Sequence, residues 1–181
     1  KEAGRRGMLG RPVTVGDGWD LDRAIQTFRR ARPTLAYLMP WYQNPTGRSM
    51  TAVDAATFRA AADGAGATLI LDETTAELSI DGGAPENLDF GPQTVRIGSL
   101  GKTVWGGLRV GWIRAERSLV ARLLAVRPSF ELGTALLEQC IAVELLTDMP
   151  ALTAHVRERL RVVERQGPRS PGGHRLGGVA V

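Results

Sequence analysis

Lysine is almost missing from this chain of 181 residues: two lysines stand against twenty-one arginines, and one of the two is residue 1. Arginine stays protonated and cannot act as an amine nucleophile, so its excess brings charge without amine chemistry. Lys102 is therefore the one internal primary amine, set in "GSLGKTVWGGLRVGWIRA" between a glycine and a Gly-Gly turn. Cysteine is scarce as well. A single Cys140 excludes an internal disulfide and suits a reducing compartment, and its apolar run "ALLEQCIAVELL" predicts a buried structural thiol. The two histidines, His155 and His174, lack the partners of a metal site. No apolar run approaches the roughly 18 residues of a membrane span, and the first residues carry no signal-peptide pattern, which predicts a soluble cytoplasmic protein. The net charge of +4 is a diffuse arginine excess. Its densest stretch, "HVRERLRVVERQ", alternates arginine with glutamate and reads as a solvated helix face rather than a nucleic-acid patch.

What is present describes a globular α/β protein. Apolar residues make up 43% of the chain and charged ones 23%, too apolar for general disorder. The pattern predicts a short strand over 10–16, then a helix over 19–31 with Asp20 as its cap. A strand over 33–39 follows, then an alanine-rich helix over 50–66 closed by glycine, and a strand over 67–73 ending in two carboxylates. A turn-rich stretch at 80–92 leads to strands over 94–99 and 108–115. Three helices come next, over 116–127, 133–148 and about 150–166, the last with Leu152, Val156, Leu160 and Val163 on one face. The Gly- and Pro-rich tail, 167–181, predicts no single structure. In open α/β sheets ligands gather beyond the carboxyl ends of the strands. "QNPTG", "DETT" and "SLGK" each follow a predicted strand there.

Three chemistries compete for the lysine loop. "GKT" ends a phosphate-binding P-loop pattern, but the required earlier glycine is Arg96, and a strand rather than a helix follows. Ser99 and Lys102 match S-x-x-K, but the companion motifs S-D-N and K-T-G occur nowhere. Pyridoxal phosphate (PLP) chemistry needs a lysine for the aldehyde, a carboxylate for the pyridine nitrogen and donors for the phosphate. Lys102, Asp72, Ser99 and Arg109 supply those types, and Asn44 could donate to the ring oxygen. Singly, each has a plainer reading: Asp72 as a turn cap, Asn44 as a turn initiator before Pro45, Arg109 as one surface arginine among many. As an ordered set at successive strand ends they favour the third chemistry.

"QNPTG" (43–47), "LILDET" (69–74) and "SLGKTVWGGLRVGW" (99–112) resemble, in order and spacing, the class I/II aminotransferases of PLP fold type I. The wording "KTVWGGLRVGW" is most similar to the aminotransferase-like domains of MocR-type regulators of the GntR family. The resemblance implies a fold type I large domain, a mostly parallel sheet flanked by helices and incomplete at both ends. It assigns residues 1–148 to that domain and 149–181 to the start of a smaller one. It implies PLP held by Lys102 as an aldimine, with Asp72 at N1, Asn44 at O3′, and Ser99 and Arg109 on the phosphate. Thr75 stands where the family commonly has a tyrosine at O3′, which weakens that contact. The family's upstream phosphate loop would precede residue 1, and its substrate-carboxylate arginine would follow Val181. The implied activity is transfer of an amino group between an amino acid and a 2-oxo acid, by a homodimer. The alternative is a PLP-sensing effector domain with little turnover, reaching DNA only through an N-terminal winged helix-turn-helix domain.

Overall fold

The computed structural model describes residues 11–15, 18–80, 86–129 and 133–166. The predicted tail at 167–181, with His174, and the centre of the turn-rich stretch at 81–85 lie outside the described residues. Local chemistry sets the ends of the first helices. Helix α1, Leu21–Ala31, starts where the Asp20 carboxylate accepts the Arg23 amide at 3.0 Å, and it ends in Arg29 and Arg30, which favour the negative end of the helix dipole. Helix α2, Ala52–Ala65, opens with a reciprocal cap: Thr51 N–H donates to Asp54 Oδ2 at 2.8 Å, and Asp54 N–H to Thr51 Oγ1 at 3.2 Å. Gly66 closes it at φ +70°, a conformation glycine reaches without a Cβ penalty.

The sheet runs β1 (Leu35–Leu38), β2 (Thr68–Asp72), β3 (Thr94–Ser99) and β4 (Gly111–Arg114), in that spatial order. The first three strands are parallel and β4 returns antiparallel to β3. Register then sorts the side chains, because paired residues share a face and alternate residues change face. Leu38 pairs with Leu71 on the face that α1 and α2 cover; with Phe28, Trp41, Phe58 and Leu69 they form the main core. Arg96 and Gly98 continue that face on β3, and Gly98 lies opposite Trp112. A Cβ on Gly98 would fall within the Trp112 indole, so the strand admits only glycine there without a shift. The other face carries Tyr37, Ile70, Asp72, Ile97, Ser99 and Ile113. It is open, with Tyr37 56% and Ile113 54% exposed.

Beyond β3 the chain makes a single helical turn, α3 (Leu100–Thr103), and a 3₁₀ turn at Gly106–Leu108 before β4. Helices α4 (Arg117–Val126), α5 (Leu136–Thr147) and α6 (Met149–Gln166) complete the described chain. Helix α6 packs on α3 and α5, and Arg161 Nε donates to the Ile80 carbonyl at 3.0 Å. A small second core joins Leu100, Leu108 and Ala142.

Four expectations need correction. The strand over 10–16 is only a lone antiparallel bridge, Val15 to Trp19, because the run pairs with its own neighbour instead of a sheet strand; Gly10 and Gly16 lie outside the described residues. The strand expected over 108–115 is confined to Gly111–Arg114, because the 3₁₀ turn claims Gly106–Leu108 and Arg109 turns left-handed. Cys140 is exposed, not buried. Helix α5 is apolar on every side, so one packed face, marked by Ala142, leaves Leu136, Leu137 and Val143 open along with the thiol. On α6, Leu152, Val156 and Leu160 are half-buried, but Val163 is exposed where the packed face runs out.

Candidate active site

The sheet brings the predicted residues to its carboxyl end by three successive strand exits. Asp72 is the last residue of β2, buried to 9% exposure and paired in register with Ile97. Ser99 stands two residues beyond Ile97 on the same face. Strand spacing and rise put the two Cα atoms about 8 Å apart. Both Asp72 oxygens are engaged. Oδ1 accepts the Thr74 amide at 2.9 Å, which folds the chain back over the strand end, and Oδ2 accepts the hydroxyl of Tyr37 on β1.

Ser99 caps α3: its Oγ accepts the Gly101 amide at 3.1 Å and donates to the Val110 carbonyl at 3.4 Å. The same Val110 carbonyl takes the Leu100 amide at 3.0 Å. This ties the start of the lysine turn to the residue after Arg109, so Ser99 and Arg109 sit at one junction. Lys102 is the third residue of that turn and is exposed. Gly101 faces the Ser99 hydroxyl, where an added Cβ would stand 3.2 Å from Oγ. Arg109 is exposed and left-handed at φ +40°. A non-glycine residue in that region costs on the order of 1 kcal/mol, a cost that gathers at functional sites.

Asn44 and Thr75 enter from the next loop. Asn44 is exposed at the tip of the turn after β1, and the Asn44–Pro45 bond is cis. Its neighbour Gln43 holds that turn together: the Gln43 Oε1 accepts the Thr46 hydroxyl at 2.6 Å, and the Gln43 amide reaches the Arg48 carbonyl at 2.8 Å. Thr75 spends its hydroxyl on the Trp41 carbonyl at 2.7 Å. It thereby braces the Asn44 loop against the turn that follows Asp72.

Two features escaped the sequence. Tyr37 is the phenol in an otherwise aliphatic strand, "LAYL", and that oddity was its only signal. Glu73 and Arg96 form an ion pair at 2.7 Å on the helix-covered face. Burial pushes the Glu73 carboxyl above its ordinary range, against the lowering pull of Arg96 and Arg114. A groove of about 860 Å³ lies elsewhere, between α1 and α2. Alanines, Ile25, Phe28, Val53 and Thr57 line it with Arg29 and Arg32, and no carboxylate, histidine, lysine or cysteine joins them.

Comparisons with known proteins identify the fold. Over 92% of the chain the fold superposes on LysN, the alpha-aminoadipate aminotransferase of Thermus thermophilus, with a TM-score of 0.75 and 26% identity. The chain has the fold of the PLP fold type I aminotransferases. The LysN structure is complexed with N-(5′-phosphopyridoxyl)-L-leucine, and the chain spans 47% of its length. In sequence the chain is 27% identical over 138 residues to the 2-aminoadipate transaminase of the same species, covering 73% of itself and 35% of that enzyme. It is 26% identical over 129 residues to the HTH-type transcriptional regulator NorG of Staphylococcus aureus (strain USA300), covering 70% of itself and 29% of NorG. The chain thus spans about a third of the curated relatives it matches. No family model matches it. The resemblance to both aminotransferases and GntR-family regulators stands, as does the α/β fold with a mostly parallel sheet. Among the described residues no helix is long and apolar enough to cross a membrane.

Proposed function

We propose that this chain carries one part of a PLP site of the aminotransferase type, acting on an amino acid and a 2-oxo acid. The observation that carries the reading is the common face of Asp72 and Ser99 at adjoining strand ends, with the single internal lysine three residues further on. The donor set fits the group: a buried carboxylate for a ring nitrogen, an amine for an aldehyde, and a hydroxyl and guanidinium for a phosphate. When bound, PLP supplies an aldehyde that reacts with primary amines and a ring that draws electrons from the substrate Cα.

The residues divide the remaining work. Lys102 Nζ would hold the group at its aldehyde and would move a proton at the substrate Cα. Asp72, held by two donors, keeps negative charge facing the ring nitrogen. Ser99 would turn its hydroxyl from the Val110 carbonyl, a long bond at 3.4 Å, to donate to the phosphate, and Arg109 would grip it through its planar fork. Asn44 donates to the ring oxygen, while Thr75 steadies Asn44's loop rather than touching the ring. In this reading a boundary near residue 148 separates the PLP-binding unit from the start of a second one that α6 opens. Amino-acid and 2-oxo-acid binding by a homodimer belongs to the same proposal.

The composition makes a clean test. Lys1 is the only other lysine, so PLP fixed by borohydride should appear as a mass increment on the peptide that contains Lys102. The Lys102→Ala chain should show none between residues 97 and 109. Equal labelling of that variant would end the proposal. A second reading draws on NorG, whose name describes a regulator at comparable identity. In it the same residues hold PLP as an effector, with DNA contacted by a separate domain. Release of a 2-oxo acid when the loaded protein meets amino acids decides for the transaminase; stable binding without release decides for the effector.

A further inference from the structure

Tyr37 reaches Asp72 across two strands. Tyr37 pairs with Ile70, two residues before Asp72, so the phenol leans along the open face toward the strand ends. Its hydroxyl donates to Asp72 Oδ2. We propose that Tyr37 is a positioning residue that fixes the Asp72 carboxylate and, through it, keeps the PLP ring nitrogen protonated; this rests on the PLP-site reading above.

The argument starts from the carboxylate. Among the described residues Asp72 has two donors, the Thr74 amide and the Tyr37 hydroxyl. Thr74 lies on the same turn and follows any movement of that turn. Tyr37 belongs to another strand and therefore sets the side-chain angle independently. Of the neighbouring charged groups, Glu73 and Arg96 pair with each other on the helix-covered face. Burial and the adjacent Asp72 charge push Tyr37 well above the ordinary phenol range, so it stays a donor through neutral and moderately alkaline pH. A donor on a carboxylate stabilises its negative charge. Without that donor the Asp72 carboxylate keeps only the Thr74 amide, turns more freely about its side-chain bonds and faces the ring nitrogen less well. The residue as a whole is 56% exposed and lies outside the main core, so core packing does not set its place.

Two measurements test this. The first needs no PLP. In a Tyr42→Phe background Tyr37 is the only tyrosine, and its phenolate absorbance can be titrated alone while far-UV circular dichroism confirms the fold. Adding Asp72→Asn should lower the ionisation pH of Tyr37 by about one unit or more. An unchanged midpoint would remove the Tyr37–Asp72 link and the proposal with it. The second loads the full chain with ¹⁵N-labelled PLP. Tyr37→Phe keeps the ring but should move the nitrogen signal toward that of neutral pyridine and weaken PLP binding roughly threefold to tenfold. A nitrogen signal identical to the parent's overturns the proposal even if affinity falls. If the parent chain itself binds no PLP, the PLP-site reading fails and takes the role toward the ring with it. The phenolate titration then still decides whether the bond to Asp72 exists.

Discussion

Gly98→Ala tests whether the sheet was read correctly. Gly98 is the last residue but one of β3 and is paired across to β4, where glycine is a poor choice: alanine is better by about 0.5–1 kcal/mol in a strand interior. The structure reverses that preference, because an alanine Cβ would fall within the indole of Trp112 on β4. Two escapes are open. The strands can shift, and overpacking of this kind typically costs about 1–3 kcal/mol. Alternatively, the indole can swing out. At 38% exposed it keeps roughly 150 Å² of its surface covered, worth about 4 kcal/mol if all were lost. The cheaper escape sets the result, so Gly98→Ala should destabilise by about 1–3 kcal/mol. Trp112→Ala removes the obstacle, and in that background the same change should stabilise by about 0.5–1 kcal/mol. Urea denaturation of the four proteins, followed by far-UV circular dichroism, measures the coupling. The decisive feature is the change of sign. Equal costs in both backgrounds would mean that Gly98 does not face Trp112 and that the register of β3 against β4 is wrong.

The remaining predictions are simpler. Thr51→Ala removes the Oγ1 arm of the α2 cap and leaves the backbone arm to Asp54; it should cost about 1 kcal/mol in the same denaturation assay, whereas Thr51→Ser should cost little. Glu73 has a carboxyl raised above 4.5 by burial, so its contribution to stability is fully present below 4.5 and is lost as pH rises through the raised value. Glu73→Gln removes that dependence, and melting temperatures from pH 4 to 7 should show the variant gaining on the parent as pH rises; a constant gap would refute it. Together with the Lys102 labelling and the Tyr37 titration, these address the fold and the site separately.

The sequence disclosed those features that depend on local chemistry. Asp20 and Gly66 ended their helices where side-chain acceptors and a left-handed glycine must, and "TVRIGS" is β3 residue for residue. The lysine turn was less legible. "LGKT" is too short for a periodic pattern, and its helical turn depends on the Ser99 cap and the Val110 carbonyl, a contact across eleven residues. Cys140 failed for a related reason. A helix with apolar residues on every side announces burial but not which side is buried, and α5 presents the thiol's side to solvent. Tyr37 was invisible because its role exists only once β1 and β2 are in register.

That last case bears on how the site works. The face that holds Asp72 and Ser99 is the face that α1 and α2 leave uncovered, and the main core lies wholly on the other side. Parity along each strand is therefore the device that separates stability from chemistry. Leu69 and Leu71 anchor β2 in the core; Ile70 and Asp72, one residue out of phase, project from the open face. A shift of one residue in β2 would bury Asp72 among Phe58 and Leu38 and expose Leu71 on the open face. The fully buried Leu71 resists that slip, and so the residue next to Asp72 in sequence fixes where its carboxylate points. Tyr37 then adjusts what Leu71 has placed: the core sets the face, and the phenol sets the angle.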